Sequence, residues 1–101
     1  MIIGIPRERK NGECRVGLTP DKTAQLAGRG HRIIIERGAG ERSGFTDDEY
    51  RSACAVVAET LEHVWQECEL LVKVKEPAPE ELPFFRPGLA VFSFLHPAVA
   101  P

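Results

Sequence analysis

The stretch Leu70-Leu71-Val72-Lys73-Val74-Lys75-Glu76-Pro77 decides the fold of this chain. Leu70, Leu71, Val72 and Val74 ask for burial on both faces, as in a strand inside a parallel sheet with a layer above and below it. Pro77 closes the run, so the spacing predicts a strand over Leu70–Lys75 with Lys75 at its carboxyl edge. Lys73 and Lys75 share one side of that strand, because side chains alternate with period two. An edge strand shielded by lysines carries the same pattern. A Lys at the end of a buried strand, with its amine in a cleft, satisfies the apolar residues as well. There it is a point charge for a carboxylate or a ketone oxygen.

A second run, Leu89–Leu95, has the same apolar form and delivers His96 at its own carboxyl end. Pro97 biases His96 toward extended geometry, so the imidazole points past the strand. A histidine at a strand end is more often a surface residue than a catalyst. As one of a Lys/His pair at neighbouring strand ends it gains a functional reading, since open α/β sheets bind ligands outside the carboxyl ends of their strands.

Around these runs, apolar β-branched stretches alternate with helix starts. Ile2–Ile5, closed by Pro6, and His31–Glu36 read as strands, and Val56–Ala58 as a short third one. Thr19-Pro20-Asp21 opens a helix, with Thr19 as N-cap and Pro20 at the first helical position; Gly30 ends it. Thr46 to Glu49 fits a capping box before a helix over Glu49–Ala55, and Thr60 caps another that carries Val64 and Trp65. Arg37–Phe45 reads as a loop and Pro79–Leu82 as one helical turn. The alternation predicts βαβ units, and hence an α/β domain with a mostly parallel sheet and helices on both faces. No helix follows Leu89–Leu95 before Pro101. The domain is therefore expected to be incomplete, part of something larger or completed by a partner.

A chain of 101 residues bounds the fold to one small domain. Charged residues at 28% and apolar residues at 43% are ordinary for a soluble protein, and a net charge of −2 gives no reason to expect nucleic acid or an anionic membrane. Cys14, Cys54 and Cys68 are an odd count with no CxxC, so neither a disulfide framework nor a metal site is expected; the count fits a reducing cytoplasm. Met1–Pro6 is too short for a signal peptide, and no apolar run approaches membrane-spanning length.

Gly38-Ala39-Gly40-Glu41-Arg42-Ser43-Gly44 follows a predicted strand and looks at first like a dinucleotide fingerprint. Its third glycine falls one place late, and no helix opens on it. No cofactor is expected there. Arg15 lies in the polar loop after the first strand, on the same sheet edge as Lys75, where its fork can hold a carboxylate bidentately. Arg7, Arg9 and Lys10 do as well from spacing alone.

The residues then carry a resemblance. Ile3-Gly4-Ile5-Pro6-Arg7-Glu8, Asn11 with Glu13-Cys14-Arg15-Val16, and Thr19-Pro20 resemble the start of the alanine dehydrogenases and of the α subunit of nicotinamide nucleotide transhydrogenase. Gly30-His31, Gly38-Ala39-Gly40, Val64-Trp65, Leu71 to Pro77 and Phe94-Leu95-His96 continue the match in the same order, over nearly the whole chain. The resemblance implies that residues 1–101 are the N-terminal part of a substrate domain with a flavodoxin-like (Rossmann-like) parallel sheet. It also implies that NAD is bound mainly by a separate nucleotide domain, absent from this chain together with the segment that completes the substrate domain.

In alanine dehydrogenases, Arg and Lys bind the substrate's carboxylate and carbonyl and His is the acid/base. Those positions match Arg15, Lys75 and His96. Transhydrogenases share the Arg but as a class lack the Lys-Glu-Pro and Leu-His endings, so Lys75 and His96 favour the dehydrogenase. Pro97–Pro101 and Ile5-Pro6-Arg7-Glu8 look more like the transhydrogenase. The resemblance thus implies an NAD-dependent oxidoreductase that interconverts L-alanine with pyruvate and ammonia. It further implies a cytoplasmic homo-oligomer, often a hexamer, with no nucleic-acid partner and no membrane insertion. The 101 residues alone are expected to be inactive. An isolated, non-catalytic domain that binds a small carboxylate or a protein is the alternative of a different class.

Overall fold

Short apolar runs separated by capped helices leave the chain one economical arrangement, a parallel sheet with helices over both faces. The computed structural model describes residues 1–94 and shows it. Its strands are β1 (Ile2–Ile5), β2 (Arg32–Glu36), β3 (Val56–Ala58), β4 (Leu70–Lys73) and β5 (Ala90–Ser93). Its helices are α1 (Pro20–Gly28), α2 (Asp47–Ser52) and α3 (Leu61–Glu67), with 3₁₀ segments at Glu41–Ser43 and Pro79–Phe84. The strand order is β3-β2-β1-β4-β5, and every pairing is parallel. This is the order of a doubly wound, Rossmann-like sheet. β4 lies between β1 and β5, so its lysines do not shield an edge.

Period two sorts the side chains onto two cores. Ile3, Ile5, Ile33, Ile35 and Val72 face one way and pack with Tyr50 of α2 and with Leu26 and Ala27 of α1. Ile34 and Leu71 face the other way, onto Val64 and Trp65 of α3 and Cys68. Gly4 sits on that second face. A Cβ there would lie 2.8 Å from the Cβ of Cys68 and 2.9 Å from Cγ1 of Val64, so the missing side chain lets α3 approach β1 closely.

The helix starts form as their sequences specify. Thr19, Thr46 and Thr60 each accept a backbone N–H, from Lys22, Glu49 and His63 respectively, and Glu49 returns the bond to Thr46. Several boundaries differ from expectation. The helix expected over Glu49–Ala55 ends at Ser52, because the N–H groups of Cys54 and Ala55 turn back to the carbonyls of Arg51 and Tyr50. That closure puts Cys54 at φ 73°, in the left-handed region usually given to glycine. An L side chain there costs about 1–2 kcal/mol. Cys54→Gly should therefore stabilise the fold by about 1 kcal/mol, read as a higher urea midpoint; an unchanged midpoint would contradict that account of the turn.

The strand expected over Leu70–Lys75 ends at Lys73. The next two N–H groups are taken by a side chain: the Glu8 carboxylate accepts from Val74 at 2.8 Å and from Lys75 at 3.2 Å. At the other run the described strand is Ala90–Ser93, and Leu95 and His96 lie outside the described residues.

Candidate functional site

The strand order reverses between β1 and β4, and a crevice opens outside their carboxyl ends. That is where an open α/β sheet takes its ligands. The loop after β1 brings Glu8, Glu13 and Arg15 to it, and the exit from β4 brings Lys75. A small cleft of about 50 Å³ lies here, lined by Arg7, Glu8, Glu13, Arg15, Arg42 and neighbouring residues.

Under the crevice lies a buried charge network. The Lys73 ammonium sits 3.5 Å from Oε1 of Glu8 and 3.5 Å from Oε1 of Glu81, with all three side chains at most 2% exposed. Glu81 is tied further, accepting from the Trp65 indole N–H at 3.1 Å and from the Ala78 N–H at 2.7 Å. Charges so far from water need partners, and here each has one. The network does more than neutralise itself, because Glu8 also holds the backbone of Val74 and Lys75. It fixes where Lys75 leaves the sheet.

Above it, one carboxylate joins the two cations singled out in the sequence. Glu13 accepts from Nε and Nη2 of Arg15, each at 2.9 Å, and from the Arg15 backbone N–H at 2.7 Å. The Lys75 ammonium lies 3.9 Å from Oε1 of Glu13. Glu13 is buried, whereas Arg15 and Lys75 keep 61% and 35% of their side chains exposed and so stay open to a ligand. Two of the other cations near β1 are engaged elsewhere, while Arg7 lines the same cleft as Arg15. Arg9 makes a bidentate pair with Glu36 at 2.9 and 2.7 Å, and Lys10 pairs with Glu76 at 3.4 Å. Geometry thus separates Arg15 from Arg9 and Lys10, which spacing left equivalent, and the approach of Lys75 to the carboxylate that Arg15 holds distinguishes it from Arg7.

The Arg15 fork, with its N–H groups and nearby Lys75 charge, holds the Glu13 carboxyl down at about 2 against an ordinary 4.5, while burial pushes the other way. A lowered folded-state value stabilises the fold above the unfolded one and loses that contribution as pH falls through the lower one. Glu13→Gln should therefore lower Tm fully above about pH 4.5. The gap to wild type should narrow from there and close near pH 2. Melting curves at pH 7 and pH 3 check this; an equal gap at both would count against it.

The glycine loop braces the site. Ser43 Oγ donates to the Cys14 carbonyl at 2.6 Å, and Arg42 Nη1 to the Glu13 carbonyl at 3.5 Å. Gly40 is small for packing: a Cβ there would meet the Tyr50 ring at 2.6 Å, and the Tyr50 hydroxyl donates to the Leu18 carbonyl. Glu36, the acid at the end of β2, is filled by Arg9 and the Arg7 N–H. In the glycine loop the N–H groups of Gly38, Ala39, Glu41, Ser43 and Gly44 are already bonded within the chain, unlike the open cradle that a dinucleotide's phosphates need at a helix start.

The structure brings Arg15 and Lys75 together; His96 lies outside the described residues. Sequence reasoning missed Glu8, Glu13, Lys73 and Glu81. A lysine in a strand buried on both faces was a usable signal, since it must find a carboxylate. Glu81, in a Pro-rich connector, gave none. Among the described residues no group of acids, cysteines and histidines is placed to hold a metal, and no helix is long and apolar enough to cross a membrane.

Known proteins resemble this chain in sequence and in fold. The family model described as alanine dehydrogenase/PNT, N-terminal domain, matches residues 4–101. The alanine dehydrogenase of Bacillus subtilis (strain 168) is 50% identical over the whole chain, which spans 26% of that protein. That of Mycolicibacterium smegmatis is 46% identical over 99% of the chain and 27% of its own length. Among solved structures, an L-alanine dehydrogenase superposes with a TM-score of 0.89 at 41% identity, over 92% of this chain and 26% of that one. A transhydrogenase from Sinorhizobium meliloti gives 0.84 at 28% identity, over the same shares. The chain thus spans about a quarter of the length of the relatives it matches. With the fold and a match over residues 4–101 in agreement, the chain belongs to the alanine dehydrogenase/PNT N-terminal domain family.

Proposed function

We propose that residues 1–101 are the substrate-binding part of an NAD-dependent alanine dehydrogenase, which interconverts L-alanine with pyruvate and ammonia. The observation that carries this reading is the convergence of Arg15 and Lys75 on one carboxylate at the switch point of the sheet. Both side chains keep an exposed portion beside Glu13, where a second carboxylate can reach them.

In this reading the free edge of the Arg15 guanidinium fixes the substrate carboxylate. The Lys75 ammonium faces the carbonyl oxygen and stabilises the negative charge that builds there. His96, whose ordinary pKa is near ~6.5, exchanges a proton with the carbinolamine oxygen at neutral pH. NAD would accept the hydride, held by a domain beyond this chain. A cytoplasmic homo-oligomer, hexameric as the family resemblance implies, completes the proposal, and the 101 residues alone are inactive.

A second reading, the α subunit of a transhydrogenase, is supported by the superposition on the Sinorhizobium meliloti protein. Lys75-Glu76-Pro77 and Leu95-His96 favour the dehydrogenase. The test uses the full-length protein that carries this chain. NAD reduction that depends on L-alanine supports the first reading. Hydride exchange between NADH and an NADP analogue, with no response to alanine, would replace it with the second; neither activity would leave a carboxylate-binding domain.

A further inference from the structure

The crevice holds more charged groups than a small acid needs, and their sum carries information. Arg7, Arg15 and Arg42 line the cleft with Glu8, Glu13 and Glu41, three cations against three carboxylates. Beneath them, Lys73 and Glu81 cancel as a pair. Lys75, 3.9 Å from Glu13, is left as one uncancelled positive charge. Glu13 is the carboxylate that sets this total at the contact point. It fills the Nε/Nη2 edge of Arg15 and faces Lys75, so at this pair a ligand meets the remaining edge of the fork and the ammonium. It remains ionised at any working pH, with its carboxyl near 2.

The geometry points to Glu13 as the residue that sets the charge class of the substrate: its carboxylate leaves the Arg15–Lys75 pair with one excess positive charge, which admits a monoanion and discriminates against a dianion. This rests on the crevice being the substrate site. A dianion of the same size would bring a second negative charge within a few ångströms of Glu13, where like charges in a partly buried setting repel strongly. Pyruvate and zwitterionic alanine carry one carboxylate each; the 2-oxo dicarboxylic acids carry two.

Oxamate and oxalate are the probes, being nearly equal in size and shape and differing by one charge. Calorimetric titration of the full-length protein with each gives a ratio of dissociation constants. Wild type should prefer oxamate. Glu13→Gln should move the ratio toward oxalate by about tenfold or more, and Glu13→Asp, which keeps the charge, should leave the preference with oxamate. Lys75→Gln should move the ratio the other way, which supplies the answer if Glu13→Gln fails to give a cooperative melt. A shift below about threefold in Glu13→Gln, equal shifts in the Gln and Asp variants, or no movement in Lys75→Gln would each overturn the proposal. Because the readout is binding, it stays separate from the assignment of the reaction: a protein that shows the charge preference but does not turn over alanine would retire the dehydrogenase reading and keep this one.

Discussion

Lys75→Ala in the full-length protein should lower kcat/KM for alanine oxidation by about 10²–10³-fold, the usual loss when one preorganised charge at a reacting oxygen is removed. Lys75→Arg should not restore it. A planar fork cannot stand in for a compact ammonium 3.9 Å from Glu13 in a crevice already lined by the guanidiniums of Arg7, Arg15 and Arg42. His96→Ala should cost roughly 10²–10⁴-fold, the range for a lost general acid/base, with NADH binding largely intact. Both variants should melt close to wild type. Lys75 is about one-third exposed, and its strand end is held through its backbone N–H by Glu8, a bond that alanine keeps. Near-normal rates, or a fall in Tm that accounts for the lost activity, would mean that these side chains only decorate strand ends.

Lys73→Met should behave in the opposite way, as a folding variant. Methionine matches the length and much of the volume of lysine, so packing changes little. What is lost is the cation between Glu8 and Glu81, both buried, each 3.5 Å from the ammonium. Removing one partner of a buried ion pair costs about 3–5 kcal/mol, because the charge left behind has no water and no counter-ion. That is a large share of the roughly 5–15 kcal/mol that holds a domain folded. Urea unfolding should show the loss, and pairing the change with Glu8→Gln and Glu81→Gln should recover part of it, since neutral groups need no counter-ion. A loss under about 1 kcal/mol in Lys73→Met would show that the network contributes little to folding. Turnover should fall as well, because Glu8 holds the backbone N–H groups that aim Lys75.

Most of the fold was legible in the sequence because local chemistry encodes it. Three threonines, a proline and a capping box start the helices where they are found. Runs such as Ile33-Ile34-Ile35 exclude everything but a strand between two layers. Their alternation with helices implied parallel pairing, since a parallel connection needs a crossover of that length. Lys75 was named from its place at the end of a buried strand and Arg15 in particular through family resemblance, and their common sheet edge followed from strand direction alone.

The tertiary structure decided what depends on residues far apart in the chain. Spacing could not choose among Arg7, Arg9, Lys10 and Arg15. Glu36 and Glu76 engage Arg9 and Lys10 from other elements, and Glu13, which holds Arg15 beside Lys75, marks Arg15 out from Arg7, which shares the cleft. Nor could the pattern end β4 at Lys73, because the carboxylate that ends it lies 66 residues earlier at Val74's partner, Glu8. Lys73 itself was visible only as one beat of an alternation; its burial between Glu8 and Glu81 needed the fold to bring the two carboxylates together. Local propensities act over a few residues and are written in order along the chain. Electrostatic pairing acts through space, so the sequence by itself determined which elements form, and only the folded sheet determined which charges meet.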